Sequence, residues 1–568
     1  MKNWRLNLIL IVIFIFGAAV TSRLFYLQIL SHKFYQSQAL GQQAGFQEIY
    51  GTRGQIFFAN SQESKGSIGT GETKSMAINR DFFVISAMPK EIENNDIFAK
   101  VLAENIGETK ELILSKLEGR TSYTVIKRGL AQEDIDKIKS LNLKGIYWER
   151  TPARYYPQEN LASQVVGFLG GGGTGQYGLE GYYDEDLKGK SGIQEDKRGL
   201  DLIFSPEMPG SLDGSDFYLT IDYNIQFEAE ILLKEVKKNL NIDSGQIIVM
   251  KPDSGRILAM ANYPSFDPNQ FSKENDLEIF QNSATQKLFE PGSVMKPFIM
   301  AMGINEGKVT PDTTFTDLGF IKVGKEIIYN FGREKYGKRT MTEVLEKSIN
   351  TGAVFVEEKI LHNTFLNYMD NYGFFRKTDV DLQGEVYSQN DLLKTGPDVE
   401  FATASFGQGI EITPVQLVRG FSVFANGGKL PKPYVVEKTI QGESEMYTKI
   451  QPQDQVISQQ TASEVTTMMI NVVERGYGSE AKILGYYIAG KTGTAEVPLK
   501  NGKGYELDKT IQSFIGFAPA LNPKFLILIK LDDPKVPKSS LSAAPVFRKL
   551  AQYIINYWKI PPDYEVNE

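Results

Sequence analysis

The longest unbroken apolar run in the chain covers residues 8–20 and is flanked by basic residues on both sides. Together with its neighbours it makes 19 residues, 4–22, which just span the hydrocarbon core of a bilayer. The pattern therefore predicts a single N-terminal transmembrane helix with a short cytoplasmic tail. The small residues at 17–19 would also fit a cleaved signal peptide. The apolar pattern keeps its helical spacing over 23–30, however, and this favours an uncleaved anchor.

Between residues 45 and 200, short strand-like and helix-like segments alternate with glycine-rich breaks. Residues 61–74 are small and polar and predict a mobile loop, and the four glycines at 170–173 predict a turn or hinge. Residues 217–221 have a strand pattern that continues as a helix rich in Glu and Lys to about 237. This segment predicts a bridge into another domain.

From about residue 243 the apolar runs become longer and more regular. Strand-like runs cover 246–250, 257–260, 513–518 and 525–529. Helical patterns cover 294–306, 341–361, 459–474 and 544–558. Pro252-Asp-Ser-Gly255 between the first two strands is a strong hairpin signal. Strands at both ends with helices inserted between them indicate an α+β fold, in which helices pack on an antiparallel sheet.

Length and composition limit the classes of protein that fit. A chain of 568 residues is too long for one domain. We expect an anchor over 1–30, an N-terminal mixed α/β domain over 31–215 and a C-terminal domain over 240–560. The net charge of −7 is spread along the chain without a basic run, which argues against a nucleic-acid partner.

Two absences narrow the possible chemistry. Cysteine is missing, which removes thiol nucleophiles, thiolate metal sites and disulfides. The only histidines, His32 and His362, lie far apart, so the sequence argues against a Ser-His-Asp triad or a histidine-rich metal site. We expect neither a metal nor another cofactor.

Ser293 and Lys296 are the candidates for a nucleophile and its base. They lie three residues apart at a predicted helix start and share one helix face. Glu290-Pro-Gly292 precedes them as a turn, and Pro297 is tolerated in a first helical turn. The positive end of the helix dipole and its open N–H groups favour developing negative charge there. Burial beside a second cation would lower the pKa of Lys296 towards that of a general base.

Ser348 and Asn350 form the second candidate element, in a predicted loop between helices. A hydroxyl and an amide two residues apart can both point into one cleft. The hydroxyl can relay a proton, and the amide can hold a substrate backbone.

The third element is Lys491, Thr492, Gly493 and Thr494, which follows the strand-like residues 486–489. On an edge strand, the lysine and threonines would face a substrate carboxylate, while Gly493 would let the substrate backbone come close. An extended substrate would then add to the sheet as a further strand.

Each of these motifs is weak alone, because the chain repeats each of them elsewhere. The other copies are Ser479-Glu-Ala-Lys482, the Ser-x-Asn strings at Ser140 and Ser388, and Lys394-Thr-Gly396. Ser479 has no helix start to serve, and we predict that its motif lies on the surface. The order decides: Ser-x-x-Lys, then Ser-x-Asn 55 residues on, then Lys-Thr-Gly 141 residues later, is typical of penicillin-binding proteins and class A β-lactamases.

With these motifs the chain closely resembles the class B penicillin-binding proteins over nearly its whole length. Further strings that carry the resemblance are Arg53-Gly54, Arg154-Tyr-Tyr-Pro157 with Gly167, Gly175-Gln-Tyr-Gly-Leu-Glu180, Phe406-Gly-Gln-Gly-Ile410, Thr413-Pro-Val-Gln416 and Ser513-Phe-Ile-Gly-Phe-Ala-Pro519. The family fold implies one N-terminal anchor, an elongated pedestal domain, and a transpeptidase domain of helices around a five-stranded antiparallel sheet. Gly54-Gln-Ile-Phe-Phe-Ala-Asn60 departs from the pedestal pattern, since it lacks the usual Asp and Arg.

The resemblance also implies a mechanism. Ser293 would attack the penultimate D-Ala carbonyl of a peptidoglycan stem peptide, with Lys296 as base, and Ser348 would pass a proton to the leaving D-Ala. Asn350 would hold the peptide, and the Lys491 motif would bind the terminal carboxylate. The backbone N–H groups of Ser293 and Thr494 would form the oxyanion hole. β-Lactams would acylate Ser293 in the same way.

Location and partners follow from the same resemblance. The catalytic domain would lie on the extracytoplasmic side of the bacterial inner membrane, beside a membrane-embedded SEDS-type glycosyltransferase. The sequence leans only weakly towards a role in division rather than elongation.

Three alternatives stay open. A D,D-carboxypeptidase shares the acylation and uses water as acceptor. A β-lactamase needs a deacylating base, and the closest string, 358–363, is one residue too long for the usual glutamate loop. A non-catalytic scaffold or β-lactam sensor would usually have lost Ser293, Lys296 or Lys491, or would carry further membrane spans.

Overall fold

The structure of the protein is a computed structural model that describes residues 4–26, 29, 46–59, 73–119, 122–195, 213–499 and 504–566. The predicted loop at 61–74 lies outside the described residues except for its last two positions. The chain divides into two compact units. The first comprises Met1–Gly54, Glu185–Asp216 and Ile440–Ser444; the second comprises Gln55–Asp184, Phe217–Thr439 and Glu445–Glu568.

The strands are β1 Phe46–Tyr50, β2 Ile56–Ala59, β3 Ser75–Ala87, β4 Thr124–Leu130, β5 Ile146–Tyr155, β6 Phe168–Leu169, β7 Gly175–Gln176, β8 Ser191–Glu195, β9 Asp216–Asp222, β10 Ser244–Met250, β11 Ile257–Tyr263, β12 Thr314–Asp317, β13 Phe320–Val323, β14 Glu326–Tyr329, β15 Gly337–Thr340, β16 Lys429–Leu430, β17 Val436–Gln441, β18 Ser444–Tyr447, β19 Asp454–Gln455, β20 Ala489–Pro498, β21 Tyr505–Ala518 and β22 Phe525–Asp532. The helices are α1 Trp4–Phe25, α2 Asn95–Ile106, α3 Lys110–Leu117, α4 Gln132–Ser140, α5 Ser163–Val166, α6 Gly178–Tyr182, α7 Asp184–Leu187, α8 Tyr223–Leu240, α9 Ser283–Gln286, α10 Lys296–Asn305, α11 Met341–Glu346, α12 Asn350–Glu357, α13 His362–Asn371, α14 Asp391–Thr395, α15 Asp398–Ala404, α16 Pro414–Ala425, α17 Gln459–Arg475 and α18 Ala543–Trp558.

The first unit contains helix α1 and a two-stranded antiparallel sheet of β1 and β8. Within the residues that the structure describes, no helix combines the length and the apolarity needed to cross a membrane. Thr52 donates two hydrogen bonds to Asp213 Oδ1, from its backbone N–H and its hydroxyl, both 2.7 Å long. Beside them, a Cβ on Gly54 would lie 1.8 Å from the carbonyl oxygen of Ser215, so this position of the Arg53-Gly54 motif requires glycine.

In the second unit, the N-terminal part is built on a seven-stranded sheet. Its strand order is β18-β17-β9-β2-β3-β4, and β5 pairs with β3. Helices α2, α3 and α4 cover β3 and β4, and their apolar faces form one core with the strands around Leu102, Ile113 and Ile135. The predicted mixture of strands and helices before residue 200 is therefore present, and the glycines at 170–173 form the turn between β6 and β7, as predicted.

The strings that resemble pedestal motifs meet in one buried cluster. Arg154 Nε donates to Glu180 Oε1 over 2.7 Å, and both side chains are almost completely buried. The Tyr156 hydroxyl also donates to Glu180 and accepts the backbone N–H of Leu169. A Cβ on Gly178 would lie 2.4 Å from the carbonyl oxygen of Val165, which explains the glycine of that motif. Removing one partner of a buried ion pair of this kind is strongly destabilising, because the other charge stays buried without compensation.

The C-terminal part of this unit is built on a five-stranded sheet with the order β11-β10-β22-β21-β20. All neighbouring strands are antiparallel, and β10 and β11 form the predicted hairpin. Strand β22 is buried on both faces, which is why its sequence reads as a continuous apolar run. Helices α8 and α18 pack on one face around Ile247, Phe514 and Phe547. Strand β20 forms an edge of the sheet, where the sequence placed the Lys491 motif.

Helices on the other face carry the remaining motifs. The predicted helices at 294–306 and 459–474 correspond to α10 and α17, and the bridge at 215–237 is β9 followed by α8. The helical pattern at 341–361 is two helices, α11 and α12, with Ser348 between them. Ser348 adopts a φ of 54°, in the left-handed region, which interrupts the helix although the apolar period continues.

Candidate active site

Ser293 lies in a 3-10 turn, Gly292–Met295, that leads directly into helix α10. Pro297 occupies the second position of that helix, where the missing N–H has no carbonyl to pair with. Residues 296–303 of the helix are all buried, whereas Ser293 is half-buried and faces a cleft. Ser293 therefore lies just before the N-terminal end of a buried helix, at the wall of the cleft.

Two glycines let neighbouring backbone approach this turn closely. The Gly292 N–H donates to the Gly407 carbonyl over 3.0 Å, and a Cβ on Gly407 would lie 2.1 Å from the Gly292 oxygen. A Cβ on Gly493 would lie 2.5 Å from Ser513 Oγ and 3.1 Å from the Pro291 oxygen. Glycine at 493 is predicted to let the substrate backbone come close; the packing against Ser513 and Pro291 is a further reason for glycine there.

The Lys296 amine is completely buried and makes three hydrogen bonds. It donates to the Ser348 carbonyl over 2.6 Å, to Ser348 Oγ over 3.2 Å and to Asn350 Oδ1 over 2.7 Å. The structure thus joins the first two predicted elements directly. The left-handed conformation of Ser348 aims both its carbonyl and its hydroxyl at the same amine.

The Lys491 amine reaches Ser348 from the edge strand. It is also completely buried, and it donates to Ser348 Oγ over 2.9 Å and to the Thr492 carbonyl and hydroxyl over 3.0 and 3.3 Å. Ser348 Oγ therefore lies between the two amines. The motif predicts that Lys491 faces a substrate carboxylate; in the structure its amine lies behind Ser348 and Thr492.

Burial sets the ionisation of both amines. Loss of hydration lowers the pKa of Lys296 well below its ordinary value, and the charge of Lys491 lowers it further. Burial also lowers the pKa of Lys491 to about 7. Once it has lost its proton, the Lys296 amine can donate to only two of its three neighbours, and its lone pair can then accept a proton. Ser348 Oγ lies within hydrogen-bond distance of both amines and can pass a proton between them.

The cleft in front of these groups has a volume of about 570 Å³. Of the predicted residues, Ser293, Ser348, Asn350, Thr492 and Thr494 line it, whereas Lys296, Lys491 and Gly493 lie behind this lining. Asn350 Nδ2 donates to the Tyr329 carbonyl over 3.0 Å. Within the described ranges, no three His, Asp or Glu side chains come together to hold a metal ion.

Much of the remaining wall comes from segments that the sequence did not single out. These residues are Tyr329, Asn330, Phe331, Gly332, Arg333, Glu334, Tyr336, Lys347, Tyr477, Glu496, Thr510, Lys538, Ser539 and Ser540. Phe406 and Gln408, from the Phe406-Gly-Gln-Gly-Ile410 string noted above, complete the lining. Thr494 Oγ1 donates to Ser539 Oγ over 3.3 Å, which ties the edge strand to the loop after β22. For Tyr477 and Lys347, the only signal in the sequence is that they lie next to motifs already noted.

Residues 245–552 match the family model for the penicillin binding protein transpeptidase domain, and residues 49–199 match that for the penicillin-binding protein dimerisation domain. The chain is 32% identical to stage V sporulation protein D of Bacillus subtilis, over 85% of this chain and 77% of that protein. It is 29% identical to the peptidoglycan D,D-transpeptidase FtsI of Buchnera aphidicola, over 99% and 96%. Penicillin binding protein 3 of Mycobacterium tuberculosis, solved with aztreonam, has a TM-score of 0.70 at 25% identity and covers 91% of this chain and 98% of that one.

Proposed function

Because this chain belongs to the penicillin-binding protein transpeptidase family, we propose that it is a peptidoglycan D,D-transpeptidase that works through an acyl-enzyme on Ser293. The observation that carries the proposal is the buried Lys296 amine, three residues after the serine and hydrogen-bonded to Ser348 and Asn350. The names of the relatives and the family support the choice of substrate, and the hydrogen-bond network supports the residue roles that we propose. No observation favours the carboxypeptidase, β-lactamase or scaffold alternatives.

In acylation, the neutral Lys296 amine takes the proton of the Ser293 hydroxyl as its oxygen attacks the carbonyl of the penultimate D-Ala. The backbone N–H groups of Ser293 and Thr494 would hold the oxyanion, a contribution of about 3–4 kcal/mol per donor. The proton then moves through Ser348 to the amine of the terminal D-Ala as the C–N bond breaks. The products are an ester on Ser293 and free D-Ala.

In transfer, an amine of a neighbouring stem peptide attacks that ester, gives its proton to Lys296 and restores the serine. Asn350 would hold the donor backbone, and the hydroxyls of Thr492 and Thr494 would bind its terminal carboxylate. Lys491 would act from behind them, since its buried charge polarises Ser348 and Thr492. β-Lactams, which mimic the donor, would acylate Ser293 and stay bound.

We place the catalytic domain outside the inner membrane, held by an anchor within residues 1–30. Support comes from the apolar run at 8–20, which lies in helix α1, and from a substrate that is found only outside the cytoplasm. A SEDS-type glycosyltransferase is the proposed partner in the membrane, on the strength of the family resemblance alone.

The test is intact-mass spectrometry of the full chain after treatment with a fluorescent penicillin. Wild type and the Ser479→Ala control should each gain one adduct, and Ser293→Ala should gain none, a loss of at least about 10⁴-fold in acylation rate. An adduct on Ser293→Ala would contradict the choice of nucleophile. Product analysis with a D-amino acid acceptor then separates the reactions, because a carboxypeptidase would give only hydrolysis.

A further inference from the structure

At one end of the cleft, two lysines converge on a single tyrosine ring. The amine of Lys347 lies 5.9 Å and that of Lys538 5.8 Å from the centre of the Tyr477 ring. All three residues line the cleft. Ammonium groups are attracted to an aromatic face, so the Tyr477 ring is a common contact for two cationic side chains in the wall of the cleft.

Neither lysine has a carboxylate within ion-pair distance among the described residues. The acidic groups near them in sequence are paired with other cations: Glu346 contacts Arg475 at 3.2 Å, and Asp533 contacts Lys535. Of the two acidic residues that line the cleft, Glu334 accepts the hydroxyl of Tyr336, and Glu496 lies on the edge strand. The two ammonium groups thus bring positive charge to the wall of the cleft without a carboxylate partner in the described part of the chain.

The tyrosine is held in place by its own contacts. Its backbone N–H donates to the Glu346 carbonyl over 3.1 Å, and its hydroxyl lies 3.2 Å from that of Tyr336. The aromatic platform is thus fixed before any ligand arrives, which lowers the entropic cost of binding one.

The lysine pair also lies beside the catalytic network. Lys347 directly precedes Ser348, and Lys538 directly precedes Ser539, whose Oγ accepts the Thr494 hydroxyl. An anion bound by these amines would therefore lie on segments that adjoin Ser348 and the predicted carboxylate-binding Thr494.

We propose that Lys347 and Lys538, arranged around Tyr477, form a carboxylate subsite of this cleft that takes a carboxylate of a stem peptide. The proposal rests on the proposed transpeptidase function. The carboxylate has two possible sources, the terminal one of the donor peptide and one on the acceptor that attacks the acyl-enzyme. The chemistry is the same for both, and the steps at which they act differ.

The variants are Lys347→Met, Lys538→Met and the double substitution in the full chain. Lys535→Met is the matched control, because Lys535 is exposed in the same loop and already paired with Asp533. The donor arm compares acylation by a thioester peptide that ends in a carboxylate with acylation by its carboxamide. The acceptor arm compares D-alanine with D-alaninamide and measures the ratio of transfer to hydrolysis.

We expect each single variant to lose about five-fold and the double variant about twenty-fold, in one arm and only for the carboxylate form. The arm affected identifies the source. Equal losses for carboxylate and carboxamide, or no loss in either arm, would overturn the proposal, as would an equal loss in Lys535→Met. Unchanged melting temperatures would show that the variants are folded, and a full penicillin adduct at the end of the reaction would show that Ser293 still reacts. Failure of the subsite proposal can therefore be told apart from failure of the proposed function.

Discussion

The chain carries the Ser-x-x-Lys string twice, and the two copies have opposite surroundings. Ser293 opens a turn into a ten-residue apolar helix, and the amine of Lys296 is completely buried. Ser479 opens a 3-10 turn that ends after three residues, and Lys482 continues in an extended conformation with 41% of its side chain exposed. The second copy lies on the surface, as the sequence predicted.

The surroundings shift the pKa values of the two lysines in opposite directions. Burial lowers the pKa of Lys296, and the charge of Lys491 adds to this effect. The hydrogen bond and charge of Glu474 instead raise the pKa of Lys482. Only the first lysine can be neutral near physiological pH. The same Ser-x-x-Lys pattern thus gives a buried lysine with a lowered pKa in one place and a surface ion pair in the other, and the surroundings of the lysine decide which.

Replacing each lysine by methionine gives the largest expected difference between the two copies. Lys296→Met keeps the apolar stem and removes the base, so acylation by a chromogenic β-lactam should slow about 10³-fold. Lys482→Met removes a surface ion pair worth about 1 kcal/mol or less, and its acylation rate should equal that of wild type. A Lys296→Met variant within ten-fold of wild type would mean that another group takes the proton of Ser293.

The other motifs differ from their second copies in the same way. In the Ser-x-Asn string at Ser388, the side chain of Asn390 makes two hydrogen bonds with the backbone of Glu411, 2.8 and 3.1 Å long. Its amide therefore has a structural role. The amine of Lys394, a half-buried residue of the other Lys-Thr-Gly string, lies 4.4 Å from the centre of the Phe375 ring. Lys491 instead is buried against Ser348 and bears on the ionisation of Lys296.

Removing the charge of Lys491 should therefore shift the pH dependence of acylation. In Lys491→Met the pKa of Lys296 should rise, because one cause of its depression is gone. The rising limb of the pH–rate profile should move to higher pH, and each unit of displacement would lower the rate on that limb about ten-fold. The variant also loses the hydrogen bonds from Lys491 to Ser348 and Thr492. That loss alone would lower the maximum rate without shifting the pH at which the rate rises. Lys394→Met should change neither, and a limb that stays in place in Lys491→Met would show that the two amines are not coupled.

Much of the architecture could be predicted from local patterns. Periodicity located the hairpin of β10 and β11, the edge strand with Lys491, and helices α10, α17 and α18, because each element carries its own apolar signature. The convergence of Ser293, Ser348 and the Lys491 motif on one cleft could be predicted because three short motifs occur in order, each in a suitable element.

The rest depends on contacts between distant segments. The break at Ser348 comes from a left-handed residue inside a continuous helical pattern, and no residue type there signals it. Tyr477 and Lys538 reach the cleft from loops without a motif of their own. The burial of Lys491 behind Thr492 depends on the pairing of β20 with β21, which puts its amine against Ser348.

The turns before the two serines differ as well, and this gives the smallest expected effect. Glu290 in the first turn is almost completely buried and accepts the Gly409 N–H over 3.1 Å and the Tyr505 hydroxyl over 3.3 Å. Burial raises its pKa to about 7, whereas the turn before Ser479 contains only Gly476-Tyr477-Gly478.

A raised carboxyl pKa means that the folded protein binds this proton more tightly than the unfolded chain. The resulting stability is complete below the unfolded pKa, about 4.5, and is lost as the pH rises through about 7. Glu290→Gln cannot ionise and keeps a carbonyl acceptor. As the pH rises from 5 to 8, wild type should therefore lose about 1–2 kcal/mol of unfolding free energy relative to the variant. Denaturant unfolding across this range measures the difference. Parallel curves for the two proteins would mean that Glu290 is ionised in the folded turn, and the turn before Ser293 would then hold a buried charge that the turn before Ser479 lacks.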